Sequence, residues 1–301
     1  MSALVTIVRA APLSTIQDAG RFGMLSHGIS ASGAMDGAAY RLAGQLAGTQ
    51  SNGAIEFTMA GIEIVVSGEG CVAGMAGGNF KALHNGEPIA WPGQVDLKVG
   101  DRLSITPGAW GNYGYLRFDR DFDLPLVMGS LSTSTRAMIG GLGGRALKAG
   151  DMLTLGHPNA AAPGHRDEPT QDAAPIRVIW GLHADMFGNA LRQRFLDSRF
   201  TIAQQMDRMG VRLGDPAGVF AATKALSLVS DAVVPGDIQI MGDGTPVVLM
   251  RDHQPTGGYP RIATIASMDF DRFAQMRPGT TVAFQSINVD HAHHLLRSGP
   301  P

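Results

Sequence analysis

The sequence predicts a mainly β protein of two tandem, related modules, each a closed or partly closed β-barrel carrying a few short helices. Three observations lead there. Short apolar, β-branched runs recur along the 301 residues with glycine between them, and the 40 glycines well exceed the usual share of about 7%, as frequent turns and bulges require. A signature repeats: Met35-Asp36 with Arg41-Leu42 reappears 171 positions later as Met206-Asp207 with Arg212-Leu213. The same offset lays residues 5–8 (VTIV) over 176–179 (IRVI), which marks related modules. Finally, residues 159–175 (NAAAPGHRDEPTQDAAP) are rich in Ala, Pro and charge without apolar periodicity, and read as a connection. The expected organisation is a module over 1–160, a linker over 161–173 and a second module over 174–301.

Each element follows from local pattern. Residues 5–8 open the first module as a strand, and the Ala- and Leu-rich stretch 38–46 after Ser32 predicts a helix. Residues 54–58 and 62–66 alternate with period two around Gly61. Gly100-Asp101 and Gly150-Asp151 each turn the chain into a strand, over 102–105 and 152–155. In the second module residues 176–179 form the opening strand, and 186–195 a helix with Leu191 and Phe195 on one face. Strands over 247–250 and 262–265 flank a polar loop, and Pro278-Gly279 opens a last strand over 280–284. The terminal HAHHLLR reads as a frayed end whose histidines bind metal only adventitiously, so no metal site is expected.

Composition narrows the function. A net charge of −2 gives no reason to expect nucleic acid or an anionic membrane surface. The single cysteine, Cys71, excludes an intramolecular disulfide framework and reads as a small buried hydrophobe. The apolar run near the N-terminus is too short and too broken for a signal peptide or a membrane span, so the expected compartment is the cytoplasm. There is no Walker A, G-x-S-x-G or H-E-x-x-H motif.

Two constellations concentrate polar groups. The loop from Arg251 to Arg261 contains His253, which titrates near neutrality, and Gln254, Thr256 and Tyr259, which can orient a small polar substrate. Gly257 and Gly258 let the backbone approach a ligand closely. The other runs from Gln17 to Asp36 and includes Asp18, Arg21 and Ser32; Asp18 and Arg21 form either a structural ion pair or part of a ligand site. Gly140 to Arg145 (GGLGGR), beside Arg136, is an anion-contact candidate without the strand-then-helix context of a dinucleotide fingerprint. Asp36 and Asp207, each five residues before an arginine, are expected to brace equivalent positions of the two modules.

TIQDAGRFG (15–23), SGAMD with YRLA (32–43), GGLGGRALKAGD (140–151), MDRMGVRL (206–213), VVPGDIQI (233–240) and QPTGGYPRIAT (254–264) resemble the biotin-dependent carboxyltransferase family. That family includes allophanate hydrolase subunit 2, the C subunit of 5-oxoprolinase and the antagonist of the sporulation kinase inhibitor. The resemblance implies two cyclophilin-like barrel halves. It also implies a C-type subunit of an ATP-dependent 5-oxoprolinase. Its partners are then an A-type lactam hydrolase and a B-type, kinase-inhibitor-like protein, and a small amide or lactam is the substrate. The alternatives are a carboxyltransferase of urea metabolism and a non-catalytic regulatory partner. No lysine is flanked by methionine, so biotin is not carried by this chain, and ATP is expected to be used by the assembled complex. On this reading His253 transfers the proton, Arg136 and Arg21 stabilise the anion, and Asp18, Ser32, Gln254, Thr256, Gly257, Gly258 and Tyr259 hold the substrate.

Overall fold

The computed structural model describes residues 2–159, 172–223 and 228–298. Its contacts divide the chain into two compact units, one of Met1–Gly23 with Ala31–Gln171 and the other of Met24–Ser30 with Asp172–Pro301. The expected linker 161–173 lies, apart from its last two residues, outside the described residues.

The first unit holds two sheets around one core. The seven-stranded sheet runs, in spatial order, Arg120–Phe122, Met152–Pro158, Ala3–Ala10, Ile62–Ser67, Arg102–Pro107, Phe80–His84 and Glu87–Ile89. The five-stranded sheet runs Thr15–Gln17, Ala54–Thr58, Tyr113–Phe118, Cys71–Gly77 and Gly93–Leu97. Strand Ala3–Ala10 shows why the pattern folds this way: Ala3, Val5 and Ile7 alternate inward with no exposed surface, and Val5 pairs with Val66 on one side and Leu153 on the other. Strand Tyr113–Phe118 is buried at every position because helix α1 (Gly37–Ala47) helps cover its sheet.

Asp36 starts α1 by accepting from the Ala39 amide at 2.9 Å, and Gly48 ends it in the left-handed region at φ 64°. The buried face includes Leu42 and Leu46, each contributing roughly 1.5–3 kcal/mol when fully buried. The helix lies so close to strand Cys71–Gly77 that a Cβ at Gly74 would collide with the Ala43 carbonyl and the Ala47 amide.

The second unit is built on an eight-stranded sheet in the order Thr281–Val282, Phe200–Met206, Gly210–Gly214, Pro246–Leu249, Asp237–Ile240, Arg261–Ile265, Ile176–Trp180 and Phe284–Ser286. Its two margins are consecutive pieces of chain, parted only by Ala283, so the sheet nearly closes on itself. Helix α2 (Asn189–Asp197) sends Phe195 into an aromatic core, stacked on Phe284 at 5.0 Å and beside Phe200 at 5.6 Å. Helices α3 (Ser267–Ala274) and α4 (Val289–Ser298) follow, and the terminal histidines lie on α4 instead of a frayed tail.

The repeated signature does not mark equivalent positions. Asp36 caps a helix on which Arg41 sits, whereas Asp207 occupies a strand turn and accepts from the Met209 and Gly210 amides at 2.7 and 3.1 Å, with Arg212 on the following strand. Both acids stabilise chain reversals by accepting backbone N–H groups, and the shared spacing is coincidental. The opening strands, Ala3–Ala10 and Ile176–Trp180, do share the alternating inward pattern.

Candidate functional site

The polar residues form one cluster in each unit. In the first, the 18–21 and 31–34 segments are zipped together by the Arg21 amide to Ala31 carbonyl bond at 2.8 Å and the Ala34 amide to Asp18 carbonyl bond at 3.1 Å. Gly33 is required there: its φ is 88°, and a Cβ would stand 2.9 Å from the Ala19 oxygen. The buried Asp18 carboxylate is wrapped by donors. Oδ1 accepts from the Gly20 amide, the Ser130 hydroxyl and the Ser132 hydroxyl at 2.8, 2.7 and 2.5 Å, and Oδ2 from the Leu131 amide at 2.6 Å. Arg21, only 2% exposed, donates from Nη2 to the Ser132 carbonyl and from Nε to the Val127 carbonyl at 3.4 Å. Both side chains therefore hold the 127–132 loop in place.

Ser32 differs from these braces. It is buried with φ at 55°, a strained backbone for a residue with a Cβ, and its hydroxyl has no partner among the described residues. A buried hydroxyl left unbonded in strained backbone is the feature of this cluster that points to a ligand. Arg136 is exposed on the turn closed by the mutual bonds of Ser134 and Ile139. In the GGLGGR loop that follows, the Gly141 and Gly144 amides bond the Leu131 and Gly140 carbonyls, and Arg145 grips Asp151 bidentately at 2.7 and 2.8 Å, so these three groups serve the loop itself.

In the second unit the polar loop is anchored at several points. Thr256–Gly257 pairs with Asp231–Ala232 as a two-stranded sheet, the Val233 amide bonds the Pro255 carbonyl, and the Leu228 amide bonds the Gly258 carbonyl at 2.8 Å. Arg261 reaches back to the Ala232 carbonyl at 2.7 Å, Asp231 at 2.5 Å and Asp237 at 3.4 Å. Gln239 lies against Gly257, with its amide 3.5 Å from the Tyr259 carbonyl. Thr256 is exposed, while Gln254, Gly257, Gly258 and Tyr259 are half-buried.

His253 is 2% exposed, and its Nδ1 lies 2.7 Å from the Gln254 carbonyl. A carbonyl only accepts, so Nδ1 carries the proton and Nε2 keeps its lone pair. Burial pushes the imidazole below its ordinary pKa, outweighing the Gln254 bond and the charges of Asp237 and Asp252, which pull it up. The ring is thus neutral at neutral pH, in the form that accepts a proton. The adjoining Asp252 forms a buried bidentate pair with Arg208, Nε to Oδ2 at 2.8 Å and Nη2 to Oδ1 at 3.1 Å.

Sequence reasoning passed over Arg208, Asp237 and Gln239. All three stand inside the quoted motifs MDRMGVRL and VVPGDIQI, so motif membership was the available signal. An open cavity of about 700 Å³, with Gln205, Arg212 and Thr245 in its walls, sits at the opposite end of strand Pro246–Leu249 from His253. Burial pushes the Cys71 thiol up to about 12, which leaves it unreactive. Among the described residues no group of three or more His, Cys, Asp or Glu is placed to hold a metal ion, and no helix is long and apolar enough to cross a membrane.

The family model for the carboxyltransferase domain, subdomains A and B, matches residues 27–286. The chain belongs to this family. Relatives include the 5-oxoprolinase C subunit of Escherichia coli, 34% identical over 298 residues that cover 96% of this chain and 93% of the relative. The 5-oxoprolinase C subunit of Haemophilus influenzae is 32% identical, with 98% and 94% covered. Among solved structures, the urea amidolyase of K. lactis superposes with a TM-score of 0.87 at 26% identity, and covers 98% of this chain. This chain spans only 19% of that much longer polypeptide, so the likeness concerns one part of it.

Proposed function

We propose that this chain is the C-type subunit of an ATP-dependent 5-oxoprolinase. It acts with an A-type lactam hydrolase and a B-type, kinase-inhibitor-like protein to open 5-oxoproline to glutamate in the cytoplasm. The observation that carries this is the end-to-end match to two proteins of that name, over 93% and 94% of their length, against the 17% of a urea amidolyase of Saccharomyces cerevisiae that the chain spans. The His253 geometry supports a direct part in the chemistry. Its Nε2 lone pair accepts the proton of the lactam N–H as charge develops on the neighbouring carbonyl oxygen. Tyr259, Gln254 and the backbone at Thr256, Gly257 and Gly258 orient the substrate beside it. Within the first unit, the Ser32 hydroxyl and Arg136 are that unit's own candidate ligand contacts, while Asp18 and Arg21 keep its loops in place. ATP belongs to the assembled complex. In the 140–145 loop the Gly141 and Gly144 amides and the Arg145 guanidinium are engaged internally.

A second reading, carboxyl transfer to urea, is favoured by the superposition on the urea amidolyase structure at a TM-score of 0.87. Reconstitution separates the two. The chain with its A-type and B-type counterparts should form glutamate from 5-oxoproline with ATP hydrolysis, and the isolated chain should not. His253→Gln should lower the complex's rate by roughly 10²-fold or more. Glutamate formation that persists when this chain is left out sinks the proposal, and carboxylation of urea by a biotinylated partner plus this chain moves it to the second reading.

A further inference from the structure

The turn that carries His253 is suspended from another hairpin. The chain leaves strand Pro246–Leu249 at Met250, whose amide bonds the Met209 carbonyl at 2.9 Å. Two residues on, the Asp252 amide bonds the Arg208 carbonyl at 2.7 Å, and the Asp252 carboxylate receives the Arg208 guanidinium through both Nε and Nη2. The His253 amide then closes the turn onto the Met250 carbonyl at 3.1 Å. Arg208 and Asp252 are 6% and 5% exposed at their side chains, so this fork-to-fork pair is sealed from water.

A carboxylate gripped along both oxygens is fixed in rotation as well as position. A lysine in place of the guanidinium offers a point charge and leaves the carboxylate free to swing. Among the described residues, the ring of the residue that follows, His253, is tied by a single bond to its own neighbour's carbonyl. Without an external brace, that short local bond does not determine where Nε2 points.

We infer that Arg208 is a positioning residue for this site: its bidentate hold on Asp252 fixes the turn bearing His253, and with it the direction in which the imidazole presents Nε2. The inference rests on the reading of His253 as the proton acceptor, and it adds a residue on a different hairpin, 44 positions away in sequence from Asp252.

The test uses Arg208→Lys, which keeps the charge and loses the fork, in two measurements. In the reconstituted complex, kcat should fall at least tenfold with KM within twofold. The Arg208→Lys/His253→Gln double variant should be no slower than His253→Gln alone, because the brace has nothing left to position. In the full chain by itself, imidazole nitrogen NMR should show one tautomer, protonated at Nδ1, in the wild type and a mixture in Arg208→Lys. Asp252→Asn should reproduce both effects, and serves where the lysine variant does not fold. Multiplicative losses in the double variant, or an unchanged tautomer with unchanged kcat, overturn the inference. A mixed tautomer with full activity of the complex leaves the brace standing and removes His253 from the chemistry, which separates the two ideas.

Discussion

Replacing Asp18 with asparagine discriminates a brace from a ligand contact. The carboxylate takes four donors on two oxygens, two of them backbone amides, Gly20 on Oδ1 and Leu131 on Oδ2. The serine hydroxyls can rotate to a new acceptor, but the amides cannot. Asparagine has one carbonyl oxygen, so in either orientation its NH₂ faces one of those two amides, donor against donor. Stranding one buried amide costs about 1–3 kcal/mol, and the surviving bonds lose the roughly 1 kcal/mol by which a charged acceptor exceeds a neutral one. The expected loss is therefore about 3 kcal/mol, roughly a fifth to three fifths of the stability of an ordinary domain. Urea denaturation at constant m-value reads it directly. A loss below about 1 kcal/mol, together with a sharp rise in KM of the complex, would refute the reasoning and return Asp18 to the substrate.

Other substitutions probe separate links. Asp36→Ala should lower stability by about 1–2 kcal/mol through loss of the α1 cap, while Asp207→Ala, on an exposed turn, should stay within about 1 kcal/mol; equal losses in urea denaturation contradict their different surroundings. Because the folded His253 has a pKa below its ordinary 6.5, the unfolded chain binds the proton first. Stability should thus decline as pH falls through that ordinary value toward the folded one, and His253→Gln should flatten that part of the curve. Gly74→Ala should destabilise by about 1–3 kcal/mol, the usual range for overpacking, since α1 backbone fills the space; a thermal melt within about 1 °C of wild type would show that the helix can step away.

Elements with strong periodicity were legible in the sequence. The residues 38–46 pattern became α1, and the alternation at 54–58 and 62–66 became paired strands, because each buries one face on its own local rhythm. Thr256–Gly257 was not legible as a strand: two residues, one a glycine, carry no rhythm, and their partner Asp231–Ala232 is held by Arg261 from a distant part of the sequence. Nor was α3, whose charged residues and short length hide the buried Phe270 and Phe273. For the site, His253 and the loop around it announced themselves by polar density. Their supports did not, because Arg208 meets Asp252 across 44 residues and Asp18 meets Ser130 across 112. Such partners are chosen by the folded sheet, and neither end contains the other's address.

The margins of the second unit's sheet have a consequence for how this unit can be recognised. Strands Thr281–Val282 and Phe284–Ser286 finish the sheet on its two sides, the former against Phe200–Thr201 and the latter in parallel with Ile176–Val178. A foreign strand can add to a sheet only where a row of backbone donors and acceptors stands open. Here one six-residue stretch, 281–286, supplies both flanks, so a foreign strand pairing with Phe200–Thr201 or with Ile176–Val178 must first displace it. A cut or proline just ahead of Thr281 would expose both flanks in one event, and self-association should be the first symptom.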